Sequence, residues 1–247
     1  MQERLNGMTD DIARREVKAL VFDVFGTVVD WRTSLIDELT QWGRTRKIEA
    51  DWTALVDAWR EAYVPSMDEV RKAKRFVKLD LLHRQSLDTL IERFGIKGLS
   101  EADRDHINRG WHRLKPWADS VSGLTRLKTK FIISPLSNGN VLLLTNMAKN
   151  AGLPWDLILG AEVFEHYKPD PETYLGAARL LSMQPGEVMM VAAHNGDLKA
   201  AQSHGLKTAF VPRPTEYGPH QKRDFEATGQ WTMVVKDFND LAARLGC

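Results

Sequence analysis

Short apolar runs alternate along the chain with longer stretches in which apolar residues recur at helical spacing. Six apolar, β-branched runs have the length of buried strands: 19–23, 130–134, 157–160, 188–193, 207–211 and 232–236. The clearest helical patterns lie between or after these runs, at 140–152, 171–182, 197–205 and 238–246. Strands that alternate with helices predict an α/β fold in which a mostly parallel sheet carries helices on both faces.

The segment between Trp31 and Trp117 breaks this alternation, because it contains amphipathic stretches such as "DWTALVDAWREAY" and no convincing strand. The pattern predicts an all-helical insertion after the first strand. Residues 115–120, "KPWADS", are the expected return hinge, since Pro116 ends a helix. The predicted parts are a polar N-terminal arm at 1–16, a core at 17–30 and 117–247, and a helical cap at 31–116.

Charge and composition narrow the classes of partner. The chain has 247 residues and a formal net charge of +1, which argues against nucleic acid or an anionic membrane as its main partner. No apolar run approaches the length of about 18 residues that a membrane helix needs. The start of the chain lacks the apolar stretch of a secretory signal. We expect a cytoplasmic protein with a small-molecule ligand, and a homodimer is compatible with the sequence.

Polar side chains follow the predicted strands where each strand ends. Because the carboxyl ends of parallel strands meet at one edge, these side chains are expected to share a crevice beneath the inserted helices. Taken singly, each has an ordinary explanation, such as a turn, a helix start or a structural histidine. Their joint order is harder to explain by chance. The residues are Asp23 after the first run, Ser137 and Asn138 after the second, Lys168 and Tyr174 after the third, and His194 and Asp197 after the fourth.

Four short motifs carry a resemblance to a known family. They are "DVFGT" at 23–27, "LSNG" at 136–139, "YKPDPETY" at 167–174 and "AAHNGDL" at 192–198. In this order they resemble the motifs of the haloacid dehalogenase superfamily, and the resemblance extends from about residue 18 to the end of the chain. It implies a Rossmann-like core, a cap domain and a nucleophilic aspartate, Asp23.

Two positions separate the chemistries found within this superfamily. Its magnesium-dependent phosphatases have a second aspartate, the general acid/base, where this chain has Phe25, and a phenyl ring cannot transfer a proton. They also have a pair of aspartates four residues apart before a helix-ending glycine. Counting back from Gly205 places one on Asp197 and the other on Ala193. Since Mg²⁺ requires several oxygen ligands, we expect no metal cofactor.

A halide leaves carbon as an anion and needs no proton, so the missing acid is no handicap for dehalogenation. Lys168 would supply the counter-charge that keeps Asp23 ionised, because unit charges about 4 Å apart interact by about 4 kcal/mol at an effective dielectric of about 20. Residues 22–32 and 191–214 are especially similar to the metal-independent type II L-2-haloacid dehalogenases. The predicted reaction converts a short L-2-haloalkanoate to a 2-hydroxy acid and halide through an ester on Asp23.

The resemblance also implies roles for the other candidate residues. Thr27 and Lys168 would orient Asp23, while Asp197 would anchor Lys168 and, with His194, position the hydrolytic water. Arg60 would receive the halide, although a solvated helix arginine is the alternative interpretation of that residue. The residues expected around the substrate are Val24 and Phe25 with their backbone N–H groups, Ser137, Asn138 and Tyr174.

The chain departs from the family pattern at several positions. Many dehalogenases of this type have tyrosine where Phe25 stands, and serine and asparagine around Ala192, Ala193 and His194. The identity of the water-activating base and the preference among halides, fluoride included, therefore stay open. Two other functions also stay open: a magnesium-dependent phosphatase, and a catalytically silent binding module. The second is disfavoured by the presence of Asp23, Lys168 and Asp197.

Overall fold

The computed structural model of the chain describes residues 16–247, so the predicted arm at 1–16 lies outside the described residues except for its last position. None of the helices in this part of the chain is long and apolar enough to cross a membrane. The described residues form a six-stranded parallel sheet with helices on both faces, together with a group of helices inserted after the first strand.

The sheet contains all six strands that the apolar runs predict. The strands of the described residues are β1 (Ala19–Phe22), β2 (Val29–Asp30), β3 (Lys115–Pro116), β4 (Ile132–Ser137), β5 (Leu159–Gly160), β6 (Val188–Ala192), β7 (Lys207–Phe210) and β8 (Met233–Val234). The order of the sheet is β5-β4-β1-β6-β7-β8, which places β1 in its interior. Leu20 of β1 pairs with Ile133 on one side and with Met189 on the other.

The α-helices that follow β1 are, in chain order, α1 (Trp31–Arg46), α2 (Trp52–Glu61), α3 (Tyr63–Ala73), α4 (Leu79–Arg93), α5 (Glu101–Asn108), α6 (Ser120–Lys128), α7 (Val141–Ala151), α8 (Pro171–Leu180), α9 (Asn195–Ser203) and α10 (Phe238–Leu245). Side chains of β1 alternate between the two faces of the sheet, as a strand requires. Leu20 and Phe22 pack in the apolar cluster beneath α6, α7 and α10, and Val21 packs in the opposite cluster with α8 and α9. Both faces of β1 are therefore buried, which explains its continuous apolar run.

The predicted fold class, an α/β core with a helical cap, is confirmed in outline, with two corrections. Lys115–Pro116 is an extended segment that pairs antiparallel with Val29–Asp30, so the segment from 31 to 116 is not purely helical. A ribbon of two residues is too short to leave an apolar pattern, and it forms because the chain leaves and re-enters the core side by side. Helix α6 is also absent from the sequence-based prediction. The exact cap boundaries stay a prediction.

The inserted helices cover the carboxyl edge of the sheet. Asp30 accepts a hydrogen bond from the Thr33 N–H and so caps the first of them, α1. Phe25 connects the two layers, because its ring lies 5.6 Å from that of Trp111 and 6.3 Å from that of Tyr63, both edge-on. Aromatic side chains from the cap therefore cover the end of β1.

Candidate active site

Asp23 is the first residue after β1, and its carboxylate is held by three side chains. The Lys168 ammonium donates to Oδ1 at 3.0 Å, and the Thr27 hydroxyl donates to Oδ2 at 2.8 Å. His194 Nδ1 lies 2.9 Å from the same Oδ2. Asp23 is only 8% exposed. A carboxylate fixed by several donors in a largely dry position is pre-oriented as a nucleophile.

Lys168 lies between two carboxylates, because its ammonium donates to Asp197 as well as to Asp23. Asp197, in the first turn of α9, also accepts a hydrogen bond of 2.6 Å from the Tyr174 hydroxyl. The backbone N–H of Lys168 donates to Asn138 Oδ1 at 2.7 Å. These contacts bring together residues that follow β1, β4, β5 and β6, as the sequence predicts.

The charges around Asp23 and Lys168 favour the ionised form of both side chains. Burial acts to raise the pKa of Asp23, but Lys168 and His194 outweigh burial and hold that pKa well below its usual range. Burial acts to lower the pKa of Lys168, whereas Asp197 and Asp23 raise it above that of a free lysine. Burial and the nearby charge of Asp23 raise the pKa of Asp197. Asp23 is therefore an ionised, desolvated carboxylate.

His194 has a second partner that the sequence analysis missed. Its Nε2 lies 2.8 Å from Oε2 of Glu216, whose other oxygen accepts a hydrogen bond from the Trp31 indole at 3.0 Å. Burial acts to lower the pKa of His194, but Glu216 and Asp23 raise it well above its usual value. Burial likewise raises the pKa of Glu216, and His194 more than reverses that effect. The imidazole is thus held as a cation between two carboxylates.

A signal for Glu216 is present in the sequence. It lies in the proline- and glycine-rich stretch "VPRPTEYGP", which follows the carboxyl end of β7 at the same edge as the other site residues. The rule that strand ends carry functional side chains, extended to this strand, would have selected Glu216, the acidic residue of that stretch.

A cavity of about 350 Å³ lies above Asp23, between cap and core. Its volume is at the small end of the range for ligand sites. The side chains that line it from the cap are Arg60, Tyr63, Val64, Met67 and Arg71, and those from the core include Asp23, Phe25, Asn138, Lys168, Tyr174, His194 and Asp197.

Arg60, on α2, is not the solvated helix arginine of the alternative interpretation. Its guanidinium lies 4.3 Å from the ring centre of Tyr63 and 5.3 Å from that of Trp31. Within residues 16–247 its buried Nη1 finds no hydrogen-bond partner. A buried cationic donor without a partner is costly unless an anion occupies the place beside it. Arg60 therefore offers an anion site on the cap side of the cavity.

Of the other residues predicted to contact the substrate, some line the cavity and some do not. The Phe25 ring, Asn138 and Tyr174 line the cavity. The Val24 side chain lies in the apolar core instead, and the Ser137 hydroxyl is buried and accepts a hydrogen bond from the Gly139 N–H at 3.2 Å. Neither side chain is among those that line the cavity. Any role for them rests on backbone groups or on local loop structure.

The carboxylate and imidazole groups of the described site are not arranged to coordinate a metal ion. Among residues 16–247 no group of three or more histidine, cysteine, aspartate or glutamate side chains is arranged to hold a metal ion. The two carboxylates nearest the cavity floor, Asp23 and Asp197, are instead bridged by the Lys168 ammonium. Ala193 donates its backbone N–H to the Thr27 hydroxyl at 2.9 Å and contributes no carboxylate.

The sequence signature of the haloacid dehalogenase-like hydrolases matches residues 17–205. The matched stretch exceeds half of the chain and includes Asp23, Lys168 and Asp197. The chain belongs to the haloacid dehalogenase-like hydrolase family. The superfamily resemblance that the four motifs predict is thereby confirmed.

Three dehalogenases, two of them of known structure, are similar to this chain over most of its length. The defluorinating L-2-haloacid dehalogenase Rha0230 is 49% identical, with a TM-score of 0.91 over 94% of this chain and 96% of its own. The L-2-haloacid dehalogenase PA0810 is 49% identical, with a TM-score of 0.90 over 93% of this chain and 98% of its own. The (S)-2-haloacid dehalogenase 1 of Pseudomonas sp. (strain CBS-3) is 28% identical over 218 residues, which are 81% of this chain and 88% of that protein.

Gly26 packs against the Glu216 carboxylate, so a larger residue there is expected to disturb both the site and the stability of the fold. Its φ of +88° lies in the region that favours glycine, and an added Cβ would lie 2.1 Å from Oε1 of Glu216. We expect Gly26→Ala to displace Glu216 from His194 and to lower the free energy of unfolding by about 1–3 kcal/mol, measured by urea denaturation.

The matched control is Gly186→Ala, because an added Cβ there meets its nearest atom at 3.9 Å. The control should unfold within about 0.5 kcal/mol of the wild type. A Gly26→Ala protein that unfolds at the wild-type urea midpoint would contradict the tight packing of Glu216 against the turn.

Proposed function

We propose that the protein hydrolyses the carbon–halogen bond of short (S)-2-haloalkanoic acids and releases a 2-hydroxy acid and halide, without a metal. The observation that carries the proposal is the ionised, buried carboxylate of Asp23, whose counter-charge is a lysine. The named dehalogenases to which the chain is similar support the same reaction class.

In the first step a carboxylate oxygen of Asp23 attacks C2 of the substrate from the side opposite the halogen. A C–O bond forms, the C–halogen bond breaks, and its electron pair leaves with the halide. The free Nη1 of Arg60 is the donor that receives the halide. The substrate carboxylate lies toward Asn138 and the backbone N–H groups that follow Asp23. No proton moves in this step, so Phe25 in place of an acid is no obstacle.

In the second step water attacks the ester carbonyl of Asp23, and His194 is the base. Esterification neutralises Asp23, one of the two anions that raise the pKa of His194. The remaining anion, Glu216, stays hydrogen-bonded to the Nε2–H. Nδ1 releases its proton to solvent and can then accept a proton from the attacking water. The tetrahedral intermediate expels the 2-hydroxy acid as an alkoxide, which takes that proton from Nδ1, and the regenerated Asp23 carboxyl group returns its own proton to His194.

The phosphatase alternative has weaker support. Its attack of one anion on another needs a cation at the reacting phosphate and an acid for the leaving alkoxide. Here Phe25 stands at the position of the acid, and Lys168 bridges the carboxylates that would otherwise be free for a metal. A silent binding module would not require Asp23, Lys168 and Asp197 to be held in mutual contact.

The first test is turnover of chloroacetate and (S)-2-chloropropionate in the presence of EDTA, with ion chromatography of the released halide. We expect halide release to be unchanged by the chelator, since Lys168 supplies the positive charge. Fluoroacetate is assayed alongside because Rha0230 is described as defluorinating. Phosphate release that requires Mg²⁺, with no halide release, would reverse the assignment in favour of the phosphatase.

The second test is a single turnover in H₂¹⁸O followed by mass analysis of the peptide that contains Asp23. We expect one ¹⁸O atom in that peptide, because water attacks the aspartyl carbonyl and not the substrate carbon. Asp23→Asn is the control and should release no halide. Label found only in the 2-hydroxy acid would mean direct attack by water and would remove the nucleophilic role of Asp23.

The third test concerns Glu216→Gln, which removes the anion that supports His194. We expect ester formation to persist and ester hydrolysis to slow by about 10²-fold, so that the alkylated protein accumulates in intact-mass spectra. The direction of the pH shift follows from the charge. Losing Glu216 lowers the pKa of His194, so the acid limb of the hydrolysis rate moves to lower pH.

Glu226→Gln is the matched control, because Glu226 is an exposed glutamate in the same segment between β7 and β8. It should leave both half-reactions and their pH profiles unchanged. Equal slowing of both half-reactions in Glu216→Gln, with no trapped ester, would count against the base assigned to His194.

A further inference from the structure

Arg71, on cap helix α3, forms hydrogen bonds to the loop that carries Lys168. Its Nε donates to Asp170 Oδ1 at 2.9 Å, and its Nη2 donates to the carbonyl oxygen of Lys168 at 2.6 Å and to that of Tyr167 at 3.4 Å. Its Nη1 donates to Asp68 on the same helix at 2.7 Å. All three nitrogens of the guanidinium are therefore engaged, and two of them contact the core.

With these bonds, both the N–H and the carbonyl group of Lys168 are held by hydrogen bonds. Asn138 receives the Lys168 N–H from the core side, and Arg71 donates to the Lys168 carbonyl from the cap side. The side chain between these two anchors points its ammonium at Asp23 and Asp197. A shift of the Lys168 backbone moves the ammonium with it, so the cap takes part in setting the distance between Lys168 and Asp23.

A second contact joins the same loop to the cap. The Tyr167 hydroxyl donates to the carbonyl oxygen of Val77, in the connection between α3 and α4, at 2.5 Å. Tyr167 is buried, so the bond is shielded from water. Arg71 and Tyr167 thus tie one stretch of the cap, from α3 to the start of α4, to the segment from Tyr167 to Asp170.

Arg71 also lines two cavities, the one above Asp23 and a second one of about 550 Å³. The second cavity lies between α3 and the 164–170 segment, and its charged or titratable lining residues besides Arg71 are Lys74, Arg75, Glu165, His166, Tyr167 and Asp170. Because one side chain lines both spaces, we expect its truncation to join them and to admit water toward Lys168.

We propose that Arg71 is a positioning residue. Its hydrogen bonds to the 167–170 loop form a latch that holds the cap on that loop, fixes the Lys168 ammonium against Asp23 and separates the catalytic cavity from the second one. The proposal rests on the proposed function for its kinetic consequences, but not for its structural ones. A planar fork of five N–H donors suits this task, because it reaches two carbonyls and two carboxylates at once. A lysine at this position would keep the charge and lose the fork.

The kinetic experiment compares Arg71→Met and Arg71→Lys with the control Arg84→Met. Arg84 is matched because it also pairs with two carboxylates, Asp88 and Glu101, and its side chain is 24% exposed against 26% for Arg71. We expect Arg71→Met to slow single-turnover halide release from chloroacetate by about 10²-fold. Arg71→Lys should recover part of the rate, and Arg84→Met should stay within about twofold of the wild type.

The pH profile of halide release distinguishes positioning from general loss of structure. The charged groups near Asp23 are Lys168, His194, Asp197, Glu216 and Arg60. If Lys168 is displaced, Asp23 loses the largest of the effects that lower its pKa. The acid limb of Arg71→Met should then move to higher pH, whereas a merely less stable protein would keep the wild-type limb. A wild-type rate and limb in Arg71→Met would overturn the proposal.

A readout independent of activity separates failure of the latch from failure of the proposed function. Hydrogen exchange with mass spectrometry should show faster exchange in the peptide that contains 163–170 for Arg71→Met, and no change there for Arg84→Met. If the wild type releases no halide from any 2-haloacid, the function fails, and the exchange result alone decides the latch. Unchanged exchange in Arg71→Met would refute it.

Discussion

The Lys168 ammonium shared by Asp23 and Asp197 is the interaction on which the rest of the site depends. Charges buried this deeply are tolerated only when they are paired and hydrogen-bonded. Lys168 and His194 meet that condition, because each lies between two carboxylates. The carboxylates are Asp23, which both cations share, Asp197 and Glu216. Arg60 lies near Asp23 and Glu216, but its buried Nη1 has no hydrogen-bond partner among residues 16–247. Removing one partner leaves another buried and uncompensated.

The same pairing gives the proposed reaction its order. Esterification transfers the negative charge of Asp23 to the departing halide, so Lys168 and His194 each keep only one carboxylate partner, Asp197 and Glu216. The Lys168 ammonium is then available to favour the negative charge that develops on the ester during water attack. Loss of the Asp23 charge also weakens the hold on the His194 proton, so the base becomes available only after the ester exists. The order in which Asp23 and His194 change their charge is therefore set by the first bond that forms, the ester bond to Asp23.

Much of this arrangement could be predicted from the sequence, for a physical reason. Parallel strands deliver their carboxyl ends to one edge, so apolar runs and the polar residues after them locate Asp23, Asn138, Lys168 and Asp197 without a structure. Glu216 follows the same rule after β7, although its contact with His194 depends on loop conformation. Arg71 could not be located in this way, because its partners lie far away in the chain and are chosen by the docking of a cap helix. Helix α6, the ribbon β2–β3 and the inward Val24 side chain likewise depend on tertiary packing, which leaves no local pattern.

Phe25 shows how one residue type changes both the chemistry and the packing. Where a metal-dependent relative carries an acid, this ring meets Trp111 and Tyr63 of the cap edge-on and forms an apolar wall beside Asp23. The wall excludes water from the carboxylate, which alone would favour its protonation. Lys168 and His194 hold it ionised nevertheless. A carboxylate that is poorly hydrated but still charged is reactive toward carbon, and the aromatic ring beside it is therefore part of the reason that carbon, not phosphorus, is the expected centre of attack.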